Sequence, residues 1–298
     1  MPVSEVPGLD ALAAHRWLRR PAEGSAWLHE EVARRMMDRL GWFRTLPDSW
    51  LHWEPVLGGL RAHAALVERL PQAQALVWAE HLDAALAATG ARRPGPAWHP
   101  SQWLRRDTRT RAWVPDETVG MLWSNLALHA EPQPQALLRR WQGLIRTDGF
   151  LMFSCLGPDT LRELRALYAA RGWRPPAQAF TDMHDWGDML VQSGFAEPVM
   201  DMERIVLTYS SGAALLDELR TLGRNLSTDR APRLQAPGGR AALVEALESG
   251  LPRGDDGRLQ MTFEIVYGHA YKPVPKDRGT QTVSLDEMRN QLRQRPPR

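Results

Sequence analysis

The stretch SWLHWEPVLGG at 49–59, followed after one helical span by ALVWAE at 75–80, decides how this chain is read. Each is a short apolar run of strand length that closes in an acid and a turn. Helical spacing fills the interval to about residue 70, so the unit is strand, turn, helix, strand. An earlier helix is expected at 25–40, where Trp27, Leu28, Val32, Met36, Met37 and Leu40 recur at three- and four-residue spacing. After Glu80 a helix at 83–88 and a loop rich in Pro, Gly and Arg at 91–100 are expected. Strand 120–123, helix 134–145, strand 150–154 and helix 160–170 continue the alternation. That order predicts an α/β fold: a doubly wound, mostly parallel sheet covered by helices on both faces. The last third changes character, with helix 181–193, strand 203–209, helix 215–222, polar loop 227–239, helix 241–247 and a long alternating strand at 260–271. It predicts antiparallel strands at the sheet edge and a helical lid at about 160–250. The chain then divides into an N-terminal segment 1–24, a domain 25–271 and a flexible tail 272–298.

Composition narrows the function classes. The 298 residues carry 37 Lys+Arg against 35 Asp+Glu, a formal charge of +2 with no free-standing basic cluster, which argues against nucleic acid. No apolar run approaches the ~20 residues of a membrane span, and the N-terminus lacks a secretory pattern. A single cysteine, Cys155, excludes a disulfide framework and a Cys-based zinc site. A cytoplasmic protein without membrane partner or bound metal is expected. All basic residues but Lys272 and Lys276 are arginines, which suits carboxylate or phosphate recognition and equally reflects a bias of composition. Thirteen tryptophans suit a core or a pocket for flat, apolar ligand surface.

In a doubly wound sheet, ligands lie at the carboxyl ends of the strands near the first strand–helix turn. Here that turn is 53–59, and Glu80 ends the second strand, where an acid commonly binds ribose hydroxyls. The pair points to a nucleoside-containing cofactor. Asn125 and His129 follow a strand tip and aim at the same cleft or cap a turn. Arg162 with Arg165, and Arg220 with Arg224, stand one helical turn apart as a basic rim or as solvated ion pairs. Acids around His184 read as helix caps, and Cys155 as an apolar filler.

Later segments carry a resemblance. LWSNLALH (122–129), DGFLMFSCLGPDTLRELR (148–165), FTDMHDWGD (180–188), LRTLG (219–223) and TFEIVYGH (262–269) resemble motifs of class I S-adenosylmethionine-dependent methyltransferases, and among them the biotin-pathway malonyl-carrier-protein O-methyltransferases. The resemblance covers about 30–273. It implies S-adenosylmethionine as cofactor, held by Gly58, Glu80, Asn125 and His129, and an acceptor on acyl-carrier protein, met by Ser154, Arg162, His184 and Tyr209. It also implies a glycine-rich turn that this chain departs from: His52 replaces the strand's acid, Glu54 and Val56 replace two glycines, Pro55 removes an N–H, and only Gly58 remains. Asp107 is the counterpart of an adenine-binding acid, and Ala130 replaces a tryptophan. A catalytically inactive relative that binds a protein partner or paralogue is the second expectation.

Overall fold

The computed structural model describes residues 8–21, 24–94, 109–232 and 239–275. Asp107, residues 95–100 of the expected loop, residues 233–238 and residues 276–298 of the expected tail lie outside these. Seven strands form one sheet: β1 (Ser49–Trp53), β2 (Gln74–Trp78), β3 (Thr110–Ala112), β4 (Val119–Ser124), β5 (Ile145–Leu156), β6 (Ala196–Tyr209) and β7 (Leu259–Tyr271). Their order is β3-β2-β1-β4-β5-β7-β6. The first five run parallel, and β7 is antiparallel to both β5 and β6.

The side-chain alternation of β1, β4 and β5 assigns the two faces. Trp50, Met121, Trp123, Phe150 and Met152 face helices α2 (Trp27–Arg39) and, beyond the turn α3 (Pro55–Gly58), α4 (Leu60–Arg69), through Leu28, Val32, Met36 and Leu66. Leu51, Trp53, Leu122, Leu151 and Phe153 face the other way. There, past α5 (Leu82–Thr89), α6 (Pro134–Leu144) and, past α7 (Arg162–Ala170), α8 (Met183–Gln192) pack with Trp141, Trp186 and Leu190. Both faces are buried, so the strands read as apolar runs. Each fully buried large side chain contributes roughly 1.5–3 kcal/mol.

The structure adds detail to these expectations. The expected antiparallel strands do form one edge of the sheet: β7 lies one place in, and β6, antiparallel to it, is the edge strand. β6 starts at Ala196, earlier than its alternation suggests, because Pro198 and a register shift between Ala196 and Val199 are tolerated on an edge. Within the segment 160–250, α8 packs on the sheet and β6 belongs to it. Among its described residues α7, α9 (Gly212–Leu222) and α10 (Gly239–Gly250) form a further group of helices, with α10 packed on the other two. The N-terminal segment holds a helix, α1 (Ala11–Leu18), whose first turn is capped by Asp10 accepting from the Ala13 N–H at 3.0 Å.

Candidate active site

The strand order turns back between β1 and β4, where open α/β sheets place their ligands. Register brings Trp53, Trp78 and Ser124 to one level there. Above them is a cavity of about 240 Å³, walled by Trp53, Glu54, Trp78, Glu80, His129 and Arg140, with α1 on its open side. Trp53 and Trp78 stack at 3.6 Å between ring centroids, and the Arg140 guanidinium rests over both at 4.7 and 4.6 Å. This wall was missed in the sequence; its signal is a tryptophan at the last position of each of two adjacent parallel strands.

The turn after β1 is rebuilt around its substitutions. Glu54 takes a left-handed backbone (φ 57°, ψ 59°), the conformation a glycine adopts freely. Pro55 then starts a four-residue helical turn, a position where its missing N–H and fixed φ are tolerated. The Glu54 carboxylate accepts the Glu80 N–H at 2.6 Å. Burial, opposed by that bond and reinforced by Glu80 nearby, pushes its pKa up to about 7. Glu80 is 42% exposed at the side chain and lies 3.4 Å from Arg19, so its carboxylate remains available to a ligand.

The next helix end is closed from within. Buried Glu30 accepts the N–H groups of Arg61 and Ala62 at 3.0 and 3.1 Å, and Ser25 Oγ accepts that of Leu60 at 2.9 Å. A helix N-terminus at this place is where a dinucleotide's pyrophosphate sits. Here the protein's own carboxylate fills it, and Gly59 (φ 127°) is required because a Cβ would lie 3.2 Å from Glu30 Oε2. The N–H groups that would meet a phosphate at this helix end are therefore already engaged by the protein itself.

Of the residues expected to hold the cofactor, Glu80 and His129 line the cavity, whereas Gly58 and Asn125 do not. A Cβ on Gly58 would meet His52 Nε2 at 3.1 Å, so this glycine admits a buried histidine rather than a ligand. Asn125 lies beneath the floor. Its Nδ2 donates to the carbonyls of His29 and Gly58, and its Oδ1 accepts from Ser154 Oγ at 2.6 Å. That knot holds Leu126, at φ 50°, in the cavity wall.

The four expected acceptor residues are scattered. Ser154 is buried in the Asn125 knot. Arg162 is exposed and pairs with Glu163 and Asp159. His184 is 81% exposed at the side chain and bonds Asp182, the cap of α8. Tyr209 ends β6 in the core, its hydroxyl without a partner among the described residues. Instead a second cavity of about 140 Å³ lies between α7, α9 and β7, walled by Leu161, Leu164, Phe180, Leu219 and Phe263. It shares His129, Gln178, Leu222, Gly223 and Arg224 with the first. Cys155 is buried with its thiol pKa raised by burial, an inert filler. Among the described residues no group of three or more His, Cys, Asp or Glu is placed to hold a metal ion, and no helix is long and apolar enough to cross a membrane.

The sheet order, with its one antiparallel strand beside the edge and a cavity over the ends of β1 and β4, defines a class I methyltransferase fold. A malonyl-[acyl-carrier protein] O-methyltransferase of Gallionella capsiferriformans is 37% identical over 279 residues, 90% of this chain and 93% of that one. One of Nitrosospira multiformis is 34% identical over 268 residues, 85% of each. One of Laribacter hongkongensis reaches 44% over 162 residues, 54% of each. The chain belongs to the malonyl-[acyl-carrier protein] O-methyltransferase family. No protein-family model matches it. Among solved structures, a putative methyltransferase of Bacillus halodurans C-125 aligns over 82% of this chain and 100% of that one, with a TM-score of 0.49 and 13% identity.

Proposed function

We propose that this chain methylates the free carboxylate of malonyl-acyl-carrier protein with S-adenosylmethionine, a step of biotin synthesis. The observation that carries the reading is the pair of joined cavities: an acid- and tryptophan-lined one at the strand ends and an apolar one behind it. The residues fit the cofactor. Glu80 offers a carboxylate to ribose hydroxyls, the Trp53–Trp78–Arg140 stack offers an apolar wall, and the N–H groups of the Glu30-capped helix end, already engaged, are not needed by a cofactor without phosphate. When bound, the cofactor supplies a methyl group on a sulfonium, and the electrons of the broken bond leave with sulfur.

The chain need not supply a base. A carboxylate acceptor is ionised at neutral pH, and its oxygen attacks with its own electron pair. The protein's task is to align acceptor and donor and to keep water out. His29 is buried and His129 is half-buried in the cavity wall, and desolvation lowers the pKa of both, so neither competes as a cation. Leu126, Leu222 and Leu226 line the same cavity with apolar surface.

The rival reading, a partner-binding relative without turnover, is favoured by Glu54, whose carboxylate already occupies the Glu80 N–H. Calorimetric titration with S-adenosylhomocysteine and a methyl-transfer assay on malonyl-acyl-carrier protein separate the two. Binding below millimolar ligand with ester formed on the malonyl group is expected. Absence of heat at millimolar ligand, with no ester formed, leaves only the rival.

A further inference from the structure

Where the two cavities meet, three polar side chains face the opening: His129, Gln178 and Arg224. The acceptor atom of each that has one is already engaged. Gln178 is 4% exposed, and its Oε1 accepts the Leu226 N–H at 3.2 Å, which leaves the two Nε2 hydrogens to the opening. The Leu156 N–H faces His129 Nδ1 at 3.5 Å, so the proton of this neutral ring is assigned to Nε2. Arg224 gives Nη1 to the carbonyls of Arg220 and Gly223 at 2.5 and 2.7 Å and lies 5.2 Å from the Trp17 ring centroid. Its Nε and Nη2 hydrogens point elsewhere.

The charge around Arg224 has one sign. Among the described residues no carboxylate pairs with it. The charged neighbours that bear on it are Arg20 and Arg220, and they, after burial, lower its proton affinity by like-charge repulsion. All three are exposed, so their repulsion is screened and weak, but together they leave a positive field with no acid to answer it. The frame that holds this opening is itself tied together. Arg165, half-buried against the Phe180 ring, donates to the carbonyls of Pro158 and Gln178 at 3.1 and 3.0 Å, and Asn225 Nδ2 donates to the Pro175 carbonyl at 2.7 Å. The loop bearing Gln178 and the loop bearing Arg224 are thus one unit.

We propose that this junction of donors binds the acceptor's terminal carboxylate, with Arg224 as its charged partner and Gln178 and His129 as neutral donors. It thereby selects malonyl over acyl groups that end in a methyl. The inference rests on the methyltransferase reading above and adds the residues that choose the substrate. A neutral acyl end would leave the three donors unpaired, which is how a polar site rejects an apolar analogue. The apolar cavity beyond, between α7 and α9, is left to the thioester arm.

The test uses the full chain with malonyl- and acetyl-acyl-carrier protein as substrate and competitor, and S-adenosylhomocysteine as the donor-side probe. Arg224→Ala is expected to raise KM for malonyl-acyl-carrier protein by about tenfold or more and to abolish the preference over the acetyl form. Affinity for S-adenosylhomocysteine should fall far less than the malonyl KM rises, because Arg224 lies at the shared edge of the donor cavity and its charge answers the acceptor. Arg224→Lys, which keeps the charge but not the fork, should recover part of the preference. Gln178→Glu retains the Leu226 bond and places a like charge at the carboxylate. Its KM should be raised at pH 8 and fall back toward wild type only as the pH approaches 4, where a glutamate gains a proton. Wild-type preference in both Arg224→Ala and Gln178→Glu, with donor binding intact, overturns the assignment and leaves the activity standing. A wild-type chain that binds S-adenosylhomocysteine but treats malonyl and acetyl forms alike overturns it as well. Failure of the wild type to bind donor or form ester removes the underlying reading, and this inference with it.

Discussion

Glu54 keeps the backbone of a glycine and adds a carboxyl group to it. The left-handed conformation costs a side-chain-bearing residue about 1–2 kcal/mol. The carboxylate offsets part of this by accepting the Glu80 N–H. Its pKa is raised by burial from the ordinary 4.5 to about 7, so the folded protein holds a proton that the unfolded chain releases between those values. The stabilisation from that proton is complete below about pH 4.5 and is lost as pH rises through 7. A ligand seated above Glu54 buries it further and opposes its ionisation again. Glu54→Gly should therefore bind S-adenosylhomocysteine about tenfold tighter at pH 8, and the gain should shrink at pH 6, where the wild-type group is protonated. Calorimetry at the two pH values checks this; equal affinities of variant and wild type at pH 8 would place Glu54 away from the ligand. The acid in a glycine's place was legible in the sequence. Its reach to Glu80 was not, because that depends on the β1–β2 register that sets Trp53 beside Trp78.

At the scale of elements, β1 and α4 are joined by a buried pair of histidines. His52 Nδ1 and His63 Nδ1 lie 3.1 Å apart under Trp50, and neither Nε2 has a partner among the described residues. One ring donates and the other accepts, so both are neutral. Burial holds His63 down to about 4 and His52 well below its ordinary value. An unfolded chain takes up protons near pH 6.5 that the folded one refuses. Stability is full above about 6.5 and is lost as pH falls toward 4. In the variant with His52→Leu and His63→Leu, similar in volume, the melting temperature should fall less between pH 7 and pH 5 than in wild type. His63→Leu alone should be less stable than the double variant at pH 7, since an unpaired buried nitrogen costs about 1–3 kcal/mol. Parallel pH slopes for wild type and double variant would sink this account. Such a pair also shows which elements a sequence discloses. β1, β2, β4 and β5 are buried on both faces and announce themselves as apolar runs, and the helices between them by their spacing. β6 is an edge strand whose Asp201, Glu203 and Arg204 serve ion pairs with Arg39, Arg35 and Asp159, so its apolar period is broken. Gly58 read as a ligand-binding glycine because the same small residue serves a close approach of any kind, here of His52.

Across the whole molecule, one wall of the donor cavity comes from a segment in which the sequence disclosed no element. Helix α1 has eight residues, too few to persist alone in water. It is held by a latch to the loop after α9: Asp10 N–H to the Leu226 carbonyl at 2.7 Å, Thr228 N–H to the Gly8 carbonyl at 2.9 Å, and an Asp10–Arg230 ion pair at 2.7 Å. On its other side His81 donates to the Arg19 carbonyl at 2.6 Å, and Arg19 meets Glu80. Leu9 and Ala14 pack with Ala130 and Leu226 in a small cluster apart from the two sheet cores. The helix thus touches both the donor cavity and the loop carrying Arg224, while the sheet owes it nothing. Removing residues 1–21 should leave far-UV circular dichroism almost unchanged and unfolding cooperative. It should weaken S-adenosylhomocysteine binding by about tenfold, because His15, Trp17, Leu18 and Arg19 are lost from the cavity wall. Asp10→Ala with Arg230→Ala should weaken it far less, as a half-exposed ion pair contributes only about 0–1 kcal/mol. The backbone bonds of the latch survive that change, so α1 stays docked most of the time. An affinity unaltered by the truncation would mean that the sheet and α6 alone hold the nucleoside, and that α1 is packing without a part in the site.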